Sequence, residues 1–113
     1  GSPQMNLFQC KIENGLAKIS DMQINLNNSL NIQDACIGVR PDDILISDQG
    51  EYSSSANLVE YLGSDMIIYS SVGGQEFSCK LSSKINLKAG DNFKFDISPS
   101  VLHIFDNTSG QRA

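Results

Sequence analysis

The 113-residue chain is poor in the residues from which most catalytic and metal sites are built. It has a single histidine, His103, and three cysteines, Cys10, Cys36 and Cys79, which are odd in number, widely spaced and without a C-x-x-C pair. That pattern supports neither a disulfide framework nor a zinc site, and free thiols buried in a reducing compartment are expected instead. There is no P-loop, no G-x-G-x-x-G, no acidic calcium loop and no G-x-S-x-G elbow to put a nucleophile beside His103. Glu60, Asp65 and Glu76 have no fixed mutual spacing that would suggest paired acid and base work, so they read as solvated or turn residues. An enzyme is not expected.

Long apolar runs are also missing. The longest, such as Met66-Ile67-Ile68-Tyr69, fall far short of the roughly 20 residues of a membrane-spanning helix. Runs of like charge are absent, and the net charge is −5, from 8 basic against 13 acidic residues. Scattered Lys and Arg in an acidic chain argue against DNA, RNA or anionic lipid as default partners, because phosphate binding draws on clustered cations. The chain opens on Gly1-Ser2-Pro3 with no initiator methionine and no charged-then-apolar leader. It is therefore expected to be a fragment of a larger protein, with Gly1-Ser2 either native linker or a cloning remnant.

Alternating hydrophobicity is what the sequence does have, and its length suits one domain around one core. Leu7 to Ile12 and Leu16 to Ile19, joined by Glu13-Asn14-Gly15, predict a hairpin. Met22, Ile24 and Leu26, followed after Asn27-Asn28-Ser29 by Leu30-Asn31-Ile32, suggest a second. Strands are expected at residues 35–39, 44–46, 56–62, 66–71, 76–81, 93–97 and 101–105, with turns at 47–50, 63–65, 73–74 and 88–91. Phe93, Phe95 and Ile97 read as one core-facing row rather than as platforms for stacked bases. Residues 106–110 should form a turn that anchors the C-terminus. With no sustained 3.6-residue period, the fold class is all-β: a small Greek-key barrel with additional N-terminal strands packed on it.

One stretch stands apart. In Gly38-Val39-Arg40-Pro41-Asp42-Asp43-Ile44, proline fixes φ and biases Arg40 toward extended backbone, so the guanidinium projects from a stiff corner. A pair with a carboxylate of the same domain and a contact with another protein surface are both open readings.

Five segments, in order and in spacing, resemble a known family: Gly1-Ser2-Pro3-Gln4-Met5-Asn6, Gly38-Val39-Arg40-Pro41-Asp42, Val59-Glu60-Tyr61-Leu62-Gly63, Lys88-Ala89-Gly90-Asp91 and His103-Ile104-Phe105-Asp106. The family is the TOBE (transport-associated OB) domain, the C-terminal regulatory domain of ATP-binding subunits in bacterial carbohydrate-importing ABC transporters. It is typified by the maltose and sn-glycerol-3-phosphate systems. The family usually has Glu at the position of Asp42 and often Leu at that of Ile104.

The resemblance implies an OB-like barrel spanning residues 1–113, with 1–6 as the linker from a nucleotide-binding domain. It implies no cofactor in this fragment, since ATP and Mg belong to the absent domain. It also implies a non-catalytic regulatory and dimerisation role for a sugar or sugar/glycerol-phosphate importer. The implied partners are a second copy of the ATPase subunit, the membrane subunits through the parent and a regulatory protein, with no nucleic acid. The parent would sit in the cytoplasm, peripheral on the inner face of the plasma membrane. Arg40, Asp42 and Glu60 are the candidate interface residues. Two other readings are weighed beside this one: a TOBE barrel that senses oxyanions, and an oligonucleotide-binding OB barrel.

Overall fold

The computed structural model describes residues 4–113. The origin of Gly1, Ser2 and Pro3 as linker or remnant thus falls outside the described residues. Regular structure there is all-β apart from two single 3-10 turns, Pro41–Asp43 and Pro99–Val101. The strands are β1 (Asn6–Glu13), β2 (Leu16–Ile19), β3 (Met22–Asn25), β4 (Ile32–Val39), β5 (Ile44–Ile46) and β6 (Tyr52–Ser55). They continue with β7 (Leu58–Leu62), β8 (Asp65–Val72), β9 (Gln75–Leu81), β10 (Asn92–Ile97), β11 (His103–Asp106) and β12 (Gln111–Arg112).

The expected first hairpin forms. β1 pairs antiparallel with β2 through a turn in which Asn14 and Gly15 both have positive φ, the geometry that Asn-Gly supplies cheaply. Gly15 is fixed twice over: its φ is +77°, and an added Cβ would collide with the Asn28 carbonyl oxygen. The second expected hairpin does not form. β3 pairs back onto β2 through a turn with Ser20 at φ +52°, while Ile32 opens β4, which pairs with β1. The intervening asparagines explain this. Asn25 Oδ1 accepts from the Asn27 N–H and Asn28 Oδ1 from the Leu30 N–H, while Leu26 and Leu30 bond Gly15 of the first turn, so this segment forms a loop clasped to that turn instead of extending a ladder.

β6 and β12 were not legible as strands, and Val101 lies in a 3-10 turn rather than in the last strand. The turn at the C-terminus does form, with Asp106 Oδ1 accepting from the Thr108 N–H at 2.9 Å.

Three sheets result, in the orders β12-β11-β4-β1-β2-β3, β5-β10-β6 and β7-β8-β9. They wrap one core that includes Phe8, Ile12, Ile37, Met66, Ile68 and Phe95, all at most 2% exposed. Each such side chain contributes about 1.5–3 kcal/mol by leaving water. Phe93 and Phe95 face inward as expected, and the rings of Phe8, Phe77, Phe95 and Phe93 follow one another at centroid distances of 5.5 to 5.7 Å.

Side chains, not ladders, close the seams between sheets. β2 pairs with β1 only from Lys11 onward, which leaves the other edge of residues 6–10 to face β9. There the side-chain amides of Asn6 and Gln75 stand in for a partner strand, bonding the backbones of Ser78 and Gln9 respectively. A serine seam joins β6 to β8, with the Ser54 and Ser70 hydroxyls sharing a hydrogen bond and Ser70 donating to the Ser55 carbonyl.

Candidate functional site

The corner after β4 is built as its sequence suggests. Val39 is fully buried, Arg40 is extended (φ −72°, ψ 145°), and Pro41 starts a single 3-10 turn closed by the Asp43 N–H donating to the Arg40 carbonyl at 2.9 Å. Pro41 is buried, and Ile44 turns inward at the start of β5, so the backbone of this corner is pinned from both ends. The turn packs along β9.

Of the two readings of Arg40, the pair with its own domain is not what the structure contains. Arg40 and Asp42 are exposed, and among the described residues Arg40 makes no ion pair with Asp42, Asp43 or any other carboxylate. The ion pairs present join Glu13 to Lys11 (2.7 Å) and Lys18 (3.2 Å), and Asp65 to Lys80 (3.7 Å).

Glu60 lies elsewhere. It sits on β7 opposite Ile67, which in turn lies opposite Lys80 on β9. It accepts a hydrogen bond from the Tyr69 hydroxyl, and that bond is the main cause of Tyr69 holding its proton above the ordinary range. β8 separates β7 from β9, so about 10 Å of sheet divides Glu60 from the strand on which the Arg40 corner rests. The three candidate residues therefore form two patches around one sheet.

Other candidates resolve into packing. His103 is half-buried on β11, and its Nδ1 takes a hydrogen bond from the Arg112 guanidinium on β12. Cys36 and Cys79 are buried and Cys10 is half-buried. Burial pushes the Cys79 thiol up to about 12 and that of Cys10 up to about 11, so neither is a ready thiolate. No group of His, Cys, Asp or Glu among the described residues is placed to hold a metal ion. Sequence reasoning missed Asn6, Gln75, Ser54 and Ser70, since polar residues that staple sheets together carry no local pattern.

The family model described as the MalK OB fold domain matches residues 1–44, and the one described as the TOBE domain matches residues 37–105. The chain is 29% identical over 128 residues to the oligosaccharides import ATP-binding protein MsmX of Bacillus subtilis, covering 99% of this chain and 35% of that protein. It is 29% identical over 119 residues to the sn-glycerol-3-phosphate import ATP-binding protein UgpC 2 of Agrobacterium fabrum, covering 99% and 32%. To the putative ABC transporter ATP-binding protein MG187 of Mycoplasma genitalium it is 28% identical over 115 residues, covering 99% and 20%. The chain thus spans about a third or less of the relatives it matches. The all-β architecture, the OB match over the first strands and the TOBE match from the end of β4 to β11 converge: the chain belongs to the TOBE domain family.

Proposed function

We propose that this chain is the non-catalytic regulatory and dimerisation domain of the ATP-binding subunit of a bacterial ABC importer for sugars or sugar/glycerol phosphates. The observation that supports this most directly is coverage. Relatives named as import ATP-binding proteins align with 99% of the chain yet are about three times its length. On this reading ATP and Mg are held elsewhere in the parent, which works at the inner face of the plasma membrane with its membrane subunits.

The physical role rests on stiffness. A rigid barrel that holds the two copies of a subunit together lets their nucleotide-binding parts separate by hinging, because the second contact stays intramolecular. Arg40, Asp42 and Glu60 are the residues assigned to contact with a neighbouring domain, subunit or regulatory protein. An unpaired arginine on a pinned corner suits that task, since little backbone freedom is lost when it engages a carboxylate.

The test is charge reversal, Arg40→Glu, in the full-length ATP-binding subunit. Weaker dimerisation by sedimentation, or a blunted regulatory response in transport, is expected. Unchanged transport, dimerisation and regulation would overturn the assignment.

A further inference from the structure

Among the described residues β7 is a strand whose surroundings its own fold leaves incomplete in three respects. It lies at the edge of β7-β8-β9, and among the described residues no strand pairs with its other side. Its residues Leu58, Tyr61 and Leu62 are 51%, 53% and 48% exposed, and among the other described residues only Leu7 and Leu45 are large apolar side chains left that open. Of the devices that usually blunt an edge, Leu58–Leu62 contains no lysine, no proline and no bulge, and its one charge is that of Glu60.

The charge around this edge is mostly negative on the outer face, with Glu60, Asp65 and Glu76 against Lys80. Leu58, Glu60 and Leu62 point outward together, because Val59 and Tyr61 pair with the inward-facing Ile68 and Met66. Glu60 lies between the two leucines. Asp65, opposite Leu62, is tied to Lys80, while Glu76 adds a further carboxylate on β9. On the inner face Lys84 covers the Tyr61 ring at 5.4 Å from its centroid.

We propose that the free edge of β7 takes up an extended segment of a partner protein as an added strand. That segment alternates apolar, basic, apolar, with its Lys or Arg opposite Glu60 and its aliphatic side chains opposite Leu58 and Leu62. Backbone hydrogen bonds along the edge supply affinity, and the alternating side chains supply selectivity. A second copy of this chain is the poorer occupant, since two β7 strands paired about their common centre would set one Glu60 directly against the other. This goes beyond the regulatory reading, with which it shares Glu60 but not Arg40, and it rests on the edge and its charge.

The experiment titrates the 113-residue chain with two blocked heptapeptides, Thr-Val-Thr-Lys-Thr-Val-Thr and its counterpart with Glu in place of Lys, followed by amide resonances. The Lys peptide is expected to shift residues 58–62 and to bind about fivefold tighter than the Glu peptide, and Glu60→Lys to reverse that order. Failure of the Lys peptide to move residues 58–62 at millimolar concentration would overturn the proposal. So would equal binding of both peptides, or indifference to Glu60→Lys. Self-association in sedimentation that Leu58→Lys abolishes would overturn it in favour of a second copy. Because neither peptide touches Arg40, loss of this binding and loss of the dimerisation role are separately readable.

Discussion

Asn6 and Ser78, 72 residues apart in the chain, are locked together by a pair of hydrogen bonds in which one side-chain amide reads one backbone. Asn6 Nδ2 donates to the Ser78 carbonyl at 2.9 Å, and the Ser78 N–H donates to Asn6 Oδ1 at 2.8 Å. Both residues are buried, at 6% exposure, so the pair replaces in a dry seam the ladder that β1 and β9 do not make.

Removing that amide should be expensive. Asn6→Ala leaves the Ser78 N–H and carbonyl without partners, at roughly 1–3 kcal/mol each, so a loss of about 2–4 kcal/mol is expected after partial relaxation. Ser78→Ala keeps both backbone bonds and forfeits only a 3.5 Å hydroxyl contact, so its cost should stay below about 1 kcal/mol. Urea unfolding of the two variants checks the contrast. Equal losses would mean that the seam is held by packing and not by the amide.

Gly15 and Gly74 offer a second contrast, since both have φ near +77° yet differ in what surrounds them. At Gly74 an added Cβ meets nothing within 4 Å, so Gly74→Ala should cost about 1–2 kcal/mol, the backbone penalty alone. At Gly15 the same atom falls on the Asn28 carbonyl, a backbone group bound into the 25–31 loop. Gly15→Ala should therefore cost at least about 3 kcal/mol and loosen β2 and β3, with thermal melts giving the difference.

What the sequence announced and what it hid divide along a physical line. The Asn14-Gly15 hairpin, the inward row of Phe93, Phe95 and Ile97 and the pinned Arg40-Pro41 corner are local, so dihedral preference and period reveal them. Tyr52–Ser55 escaped because three of its four residues are serines. What places it in a sheet is pairing with Phe93 and Phe95, distant in the chain, together with the Ser54–Ser70 contact. The second hairpin was misplaced because Met22–Asn25 has two possible partners of equal period, and the Asn25 and Asn28 side chains decide between them. At the candidate site the family pattern supplied Arg40, Asp42 and Glu60 as residues, but only the sheet order separates Glu60 from the other two.

A core substitution tests how far the three sheets share one interior. Ile68 on β8 is fully buried and packs in the same cluster as Phe8 from the six-stranded sheet and Phe95 from the β5-β10-β6 sheet. Ile68→Ala should cost about 2–5 kcal/mol, while Ile68→Val should cost about 0.5–1.5. If the sheets are one cooperative unit, near- and far-ultraviolet transitions of Ile68→Ala coincide at a lower midpoint. Separated transitions would mean that β7-β8-β9 unfolds by itself.

Alkaline pH should destabilise the fold through Cys79. Its side chain is fully buried, and desolvation raises its pKa from 9.0 to about 12, so above pH 9 the unfolded chain gives up a proton that the folded chain keeps. The unfolded state then binds fewer protons, which makes the slope of stability with pH negative. The contribution is intact below about pH 9 and is lost progressively up to about pH 12. At one unit of pKa per roughly 1.4 kcal/mol, Cys79 alone should remove about 2–3 kcal/mol by about pH 11. Tyr52, raised from 10.0 to about 12 chiefly by burial, and Cys10 act in the same direction, discounted because both are only half-buried. Cys79→Ala should lower stability at neutral pH by the volume it removes and yet flatten the decline between about pH 9 and 11. Urea midpoints measured at about pH 7, 9 and 11 for both proteins check this. Parallel curves would show that the buried thiol does not titrate on unfolding as its surroundings require.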